Sequence, residues 1–317
     1  MEAFLNRNTN DLPIILKFIR RAMSLDENPP VAELVQTGIV PHIIELLSQD
    51  YYGEERIIIE ASWIAVNIAS KEATHVNFLV SLEIIPIALR LLAYPLRAVQ
   101  ENALYILANV ADESTGYRNM ILDQGVADAL DAFADKADFD AEIISNVAWL
   151  ISNLCGGKKR PPFEAIAPFM RYIHNFLTTS TNEETLLYCM WALEHITHGD
   201  ESEIEEVLQM DILEDLFKCL RSNSDRLKLA TLRTIANILT ESDVQTQVLM
   251  NRGLIDAVFP LLQDANKSVR KQAGLVFSNL MGGTAEQVKE VIDWNNGKVV
   301  ELLMEIVKRD DPKVLFG

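Results

Sequence analysis

Glu60-Ala61-Ser62-Trp63-Ile64-Ala65-Val66-Asn67-Ile68-Ala69-Ser70 is an apolar stretch interrupted by an indole and, four residues later, by a carboxamide. The pairing returns along the chain. Asn67, Asn109, Asn153, Asn237 and Asn279 each sit late in an apolar helical stretch, and His195 fills the one gap, in steps of 42, 44, 42, 42 and 42 residues. Four residues before each lies a large side chain: Trp63, Tyr105, Trp149, Trp191, Arg233 and Leu275. Positions i and i+4 stand one above the other on a helix face, so stacked copies build two parallel ladders, one largely aromatic and one of amides.

A period in the low forties carried by helical patterning alone is the signature of a HEAT or armadillo solenoid. The expected fold is therefore all-α, a right-handed armadillo-repeat superhelix, with the ladders on its concave face. Such a surface suits an extended peptide and points away from chemistry. The chain of 317 residues is read as one solenoid, and its 49% hydrophobic content supports a continuous core. A net charge of −18 argues against nucleic acid or an anionic membrane and favours a basic partner, although acidity also serves solubility. Cys155, Cys189 and Cys219 form no C-x-x-C pair and read as buried free thiols in a reducing compartment, cytosol or nucleus. No apolar run reaches the length of a membrane span, and no signal-peptide core is read at the N-terminus.

Each repeat parses into a short, a medium and a longer helix. Pro29-Pro30 precede the short helix Val31 to Gln36, which Gly38 ends; Pro41 opens the second helix, His42 to Ser48; after the turn Gln49 to Gly53 the third runs from about Glu55 to Ser70. The junction recurs as Gly125-Val126-Ala127-Asp128 and Gly253-Leu254-Ile255-Asp256, with Glu83-Ile84-Ile85-Pro86 and Asp211-Ile212-Leu213-Glu214 as variants. Six complete repeats are expected over 29–71, 72–113, 114–157, 158–199, 200–241 and 242–284. Residues 10–24 read as the last helix of a preceding repeat. Residues 285–317 supply a first and a second helix, and Asp310-Asp311-Pro312 marks the turn after them.

The stretch 60–70 resembles the third helix of importin-α, the nuclear-import adaptor, with its tryptophan and asparagine four apart. Asn146-Val147-Ala148-Trp149-Leu150-Ile151-Ser152-Asn153-Leu154-Cys155 and the following loop Lys158-Lys159-Arg160-Pro161-Pro162 resemble it too. So does Leu232-Arg233-Thr234-Ile235-Ala236-Asn237, where the family also replaces tryptophan by arginine and places an acid, here Asp243, six residues past the asparagine. The resemblance covers almost the whole chain. It implies a module that takes lysine-rich localisation signals, extended and antiparallel to the solenoid, with no cofactor and no catalytic set. A major site would comprise Trp63, Asn67, Ser70, Asn102, Tyr105, Asn109, Glu113, Asn146, Trp149, Asn153 and Trp191. A minor site would comprise Arg233, Asn237, Thr240, Asp243, Thr246 and Asn279. Carboxamides grip the peptide backbone with donor and acceptor, indoles take the stems of Lys or Arg, and Glu113 selects lysine.

Departures from the family accompany the matches. Lys71 stands where the family usually has a glycine lining the main lysine pocket, and Val76 replaces a threonine; Leu275 and Gln272 weaken the minor site. The resemblance also implies an Arg/Lys-rich importin-β-binding segment and final repeats that engage an export receptor, and neither is read here, so importin-β binding is not expected of this chain. Two plainer readings stand beside the peptide clamp: tryptophans used as core, and asparagines bonding between repeats. The runner-up function is an armadillo scaffold for another protein surface. His195 and His198 read as a helix-end pair rather than metal ligands, Gly156 to Arg160 as an inter-repeat loop, and the acids of Glu201 to Glu206 as a favoured helix start.

Overall fold

The computed structural model describes residues 11–24, 29–48, 55–70, 72–135 and 140–309. The expected turn over Gln49 to Gly53, the pocket position Lys71 and the turn Asp310-Asp311-Pro312 lie outside the described residues. Among the described residues every regular element is a helix. The chain divides into two compact units, residues 1–161 and 162–317.

In the first unit the third helices are Leu12–Ser24, Glu55–Ala69, Arg97–Glu113 and Ala141–Cys155, and each packs on the next. Where a lone helix is expected, over residues 10–24, the described helix is Leu12–Ser24, and it packs on Glu55–Ala69. Small residues make the close approach possible: Ala61, Ala65, Ala103, Ala108 and Ala148 are all buried along it. First helices (Val31–Gln36, Ala73–Ser81, Thr115–Asp123) and second helices (Val40–Leu47, Ile84–Leu91, Val126–Ala134) supply branched and aromatic core such as Ile43, Leu79, Ile85, Ile121 and Phe133. The second helix of the first repeat starts at Val40, two residues before the expected His42, because Ile39 already adopts helical angles and Pro41 fits the first turn.

The second unit repeats the plan. Its third helices are Glu183–Ile196, Asp225–Glu241 and Lys267–Leu280, again packed in succession. Their N-termini are capped by side chains the sequence places one residue ahead: Asn182, Ser224 and Asn266 each accept a backbone N–H of the first turn. Thr284 and Gln287 form a reciprocal capping box that opens Ala285–Asp293. Lys298–Arg309 follows this helix. A 3-10 turn, Trp294–Gly297, joins them, and the Trp294 ring lies 4.6 Å from that of Phe259.

The bend at Ile166 and Ala167 is made without a residue of left-handed backbone angles, whereas in five repeats the bend between first and second helices holds one. Gly125 (φ 81°) and Gly253 (φ 90°) supply it without penalty, whereas Glu83 (φ 61°) and Asp211 (φ 53°) supply it with a side chain. The three cysteines are free and buried, and burial pushes the thiols of Cys155 and Cys219 up to about 12. No single helix among the described residues is long and apolar enough to cross a membrane.

Candidate functional site

In the first unit the aromatic ladder is open. The Trp63 side chain lies at the surface, 38% exposed, and Tyr105 and Trp149 are half-buried with ring centroids 5.9 Å apart and planes tilted by 58°. That arrangement leaves π-surface beside a contact in the preferred range for aromatic pairs. The amides on the same face behave differently from one another. Asn67 Nδ2 donates to the Trp63 carbonyl one turn back in its own helix, at 2.9 Å. Asn109 is half-buried, as is Glu113 at the end of the same helix. Asn153 Nδ2 donates to the Ala108 carbonyl of the preceding third helix, at 3.0 Å. Ser70 is exposed, its hydroxyl donating to the Asn67 carbonyl.

Three residues expected to reach a peptide are buried. Asn102 is fully covered and donates to Ser62 Oγ at 2.9 Å, while its Oδ1 has no hydrogen-bond partner. Asn146 is buried with Nδ2 unpartnered, and Thr246 is buried on Asp243–Asn251. The reason is geometric. A residue three before the aromatic turns toward the preceding third helix, so Asn102 meets Ser62 instead of solvent. These positions leave the exposed face. Val76 is likewise buried.

The second unit fills the same ladder with its own charges. Trp191 is half-buried between the Tyr188 ring, edge-on at 5.6 Å, and the Arg226 guanidinium, 5.5 Å from its centroid. Arg233 Nη1 lies 3.6 Å from Glu194 Oε1; burial raises the Glu194 carboxyl above its ordinary range, and the charges of Arg233 and His198 oppose that rise. Asn237 Nδ2 donates to the Glu194 carbonyl at 3.0 Å and to Thr197 Oγ1 at 3.2 Å, and Asn279 Nδ2 to the Ala236 carbonyl at 2.9 Å. Asn153, Asn237 and Asn279 thus follow one rule. Each bonds the carbonyl just before the equivalent position of the preceding repeat, the inter-repeat link weighed as the plainer reading.

Beside this ladder lies a polar cleft of about 370 Å³, lined by Thr240, Asp243, Ser278, Asn279, Gly282 and Gly283. It opens where Asp225–Glu241 and Lys267–Leu280 both end. Last-turn carbonyls carry partial negative charge and Asp243 adds a full one, while the N-terminus of Asp243–Asn251, which opens at the same place, carries partial positive charge. Sequence reasoning missed Arg226. The signal was present: it lies seven residues, two turns, before Arg233 on the same helix face.

No protein-family model matches the chain. Importin subunit alpha-1a of Oryza sativa subsp. japonica is 30% identical over 279 residues, covering 86% of this chain and 52% of that protein. Importin subunit alpha-1b of the same organism is 31% identical over 256 residues (80% and 47%). Importin subunit alpha-3 of Arabidopsis thaliana is 32% identical over 257 residues (80% and 48%). The chain spans about half the length of the curated relatives it matches. Among solved structures, a designed armadillo repeat protein in complex with the peptide (KR)4 matches at TM-score 0.66 and 22% identity, over 76% of this chain and 98% of that one. An engineered protein matches at TM-score 0.70 and 21% identity, over 97% and 83%. In class, this is an armadillo-repeat protein. Its sequence relatives are the importin α subunits, as the tryptophan–asparagine series implied.

Proposed function

We propose that this chain is a non-enzymatic adaptor module that binds extended, lysine-rich localisation-signal peptides along the ladder face, at home in cytoplasm and nucleus. The observation that carries this reading is the cleft of Thr240, Asp243, Asn279 and two helix C-termini. It offers carboxylate, hydroxyl and carbonyl oxygens to a cation and lies beside amides able to hold a backbone. Exposed Trp63 and half-buried Trp149 supply the walls that take aliphatic stems and attract their charge. A net charge of −18 favours approach of a basic chain. The relatives are named as importin subunits, and a fold neighbour was solved with a Lys/Arg peptide.

The test is a fluorescence-anisotropy titration with a bipartite lysine-rich peptide. Binding should weaken with added salt, and Asp243→Asn should cost about 1.5–3 kcal/mol, the range for a hydrogen bond to a charged group. An affinity indifferent to both would remove the proposal.

A second reading, an armadillo scaffold for a different protein surface, draws on one observation. Asn153, Asn237 and Asn279 already spend their N–H on neighbouring carbonyls, and Arg226 already covers Trp191. On that reading no lysine-rich peptide binds in the titration.

A further inference from the structure

The cleft beside the second unit's ladder has two walls, and two amide side chains cross between them. One wall is the end of Asp225–Glu241 with Asp243 just beyond it; the other is the end of Lys267–Leu280 with Gly282 and Gly283. The first crossing is Asn279, whose Nδ2 donates to the Ala236 carbonyl at 2.9 Å. The second is Gln287, on Ala285–Asp293 and only 2% exposed. Its Nε2 donates to the Asp243 carbonyl at 2.7 Å, and its Oε1 accepts the N–H of Thr284, the residue after the glycine pair, at 3.0 Å. One amide thus spends its donor on one wall and its acceptor on the other.

We propose that Gln287 is the positioning residue of this cleft: it fixes the gap between Asp243 and the glycine wall, and so the space that a lysine or arginine side chain of the peptide enters. This rests on the reading of the ladder face as a site for basic peptides. Gln287 acts through its neighbours, because it lies under the cleft rather than among its lining residues. Gly283 makes the fit visible. A Cβ at that position would stand 2.3 Å from Gln287 Oε1, so the amide keeps its place only against glycine. The preceding repeat gives the contrast. Gln245 makes the same backward link, Nε2 to the Glu201 carbonyl at 2.7 Å, but its Oε1 has no hydrogen-bond partner among the described residues. Glu241 stands four residues before Gln245, where Gly283 stands before Gln287. The backward link therefore belongs to the fold, and its coupling to a glycine wall belongs to the cleft. A buried amide satisfied at both ends resists movement of either wall, since a shift leaves a donor or an acceptor unpaired inside the protein.

Gly283→Ala is the gentlest way to displace the amide, because the atom it meets is the far end of a flexible side chain. In fluorescence-anisotropy titrations with a bipartite lysine-rich peptide, Gly283→Ala and Gln287→Met should each weaken binding about five- to tenfold, the effect of one oriented hydrogen bond. The double variant should lose no more than either alone, since both remove one constraint. In an Asp243→Asn background Gly283→Ala should lose most of its effect. Thr284→Ala is the control: it removes the hydroxyl cap of Ala285–Asp293 and lowers the melting temperature, but leaves Gln287 Nε2 on Asp243, so affinity should stay within about twofold. Thr284→Ala weakening the peptide as much as Gly283→Ala would overturn the inference, because Gln287 would then act through stability alone. So would additive losses from Gly283→Ala and Gln287→Met, or no loss from either in a chain whose peptide binding Asp243→Asn weakens. A chain that binds no lysine-rich peptide in any form removes the underlying reading, and this inference with it.

Discussion

The two units carry the same ladder and use it differently. In residues 55–155 Trp63 is exposed, the rings of Tyr105 and Trp149 meet, and Asn67 and Asn109 make no bond to a neighbouring repeat among the described residues, while Asn153 alone bonds back to Ala108. In residues 183–280 the aromatic position holds Arg226, the arginine position holds Glu194, and both amides are tied backward to the preceding third helix. A repeat phase therefore fixes where a side chain stands but not whether it is available. Availability is decided by what the next helix offers one repeat away. In the first unit that is another ring or a small residue; in the second it is a cation.

The largest effect that bears on this contrast is on stability. Phe277 is fully buried, and Phe277→Ala should cost about 3–5 kcal/mol. Hydrogen exchange should show that loss in residues 162–309 while amides of residues 55–155 keep their protection; uniform loss would mean the units do not respond separately. Trp149→Ala comes next. It removes a stem-binding wall and the contact with Tyr105, and should weaken a lysine-rich peptide by about 2 kcal/mol or more in titration. Arg226→Ala should act in the opposite direction. Uncovering Trp191 gives a peptide cation the ring face, and affinity should improve by about 0.5–1 kcal/mol. Unchanged affinity would make the self-occupied ring irrelevant to binding. The smallest contrast concerns the thiols, where the units should not differ. Raised pKa values keep Cys155, Cys189 and Cys219 protonated at neutral pH, so a thiol reagent should label none until the chain is denatured.

Much of this was legible in the residues. The third helices, the lone helix at residues 12–24 and the Gly-type junctions follow from periodicity and breaker residues, which are local properties. The availability of individual amides was not legible, because it depends on the angle at which successive third helices pack. Asn102 and Asn109 are equally polar and lie two turns apart on one helix. One turns under the preceding helix to Ser62, and the other stays half-exposed. The direction in which a carboxamide spends its N–H is likewise set by a carbonyl more than forty residues away. Arg226 lies seven residues before Arg233, off the spacing that defines the ladder, so the periodicity does not single it out.

The left-handed junctions have a consequence for engineering. Five of these bends share one backbone conformation, yet glycine fills three, at 38, 125 and 253, and acids fill the other two, Glu83 and Asp211. A side chain at positive φ strains the backbone by about 1 kcal/mol or more, and replacing it by glycine returns part of that, net of the extra freedom glycine has when unfolded. The repeats are thus their own template for improvement. Copying the glycine from positions 125 and 253 into 83 and 211 is a consensus design drawn from a single sequence, directed at bends rather than at the core or the peptide face.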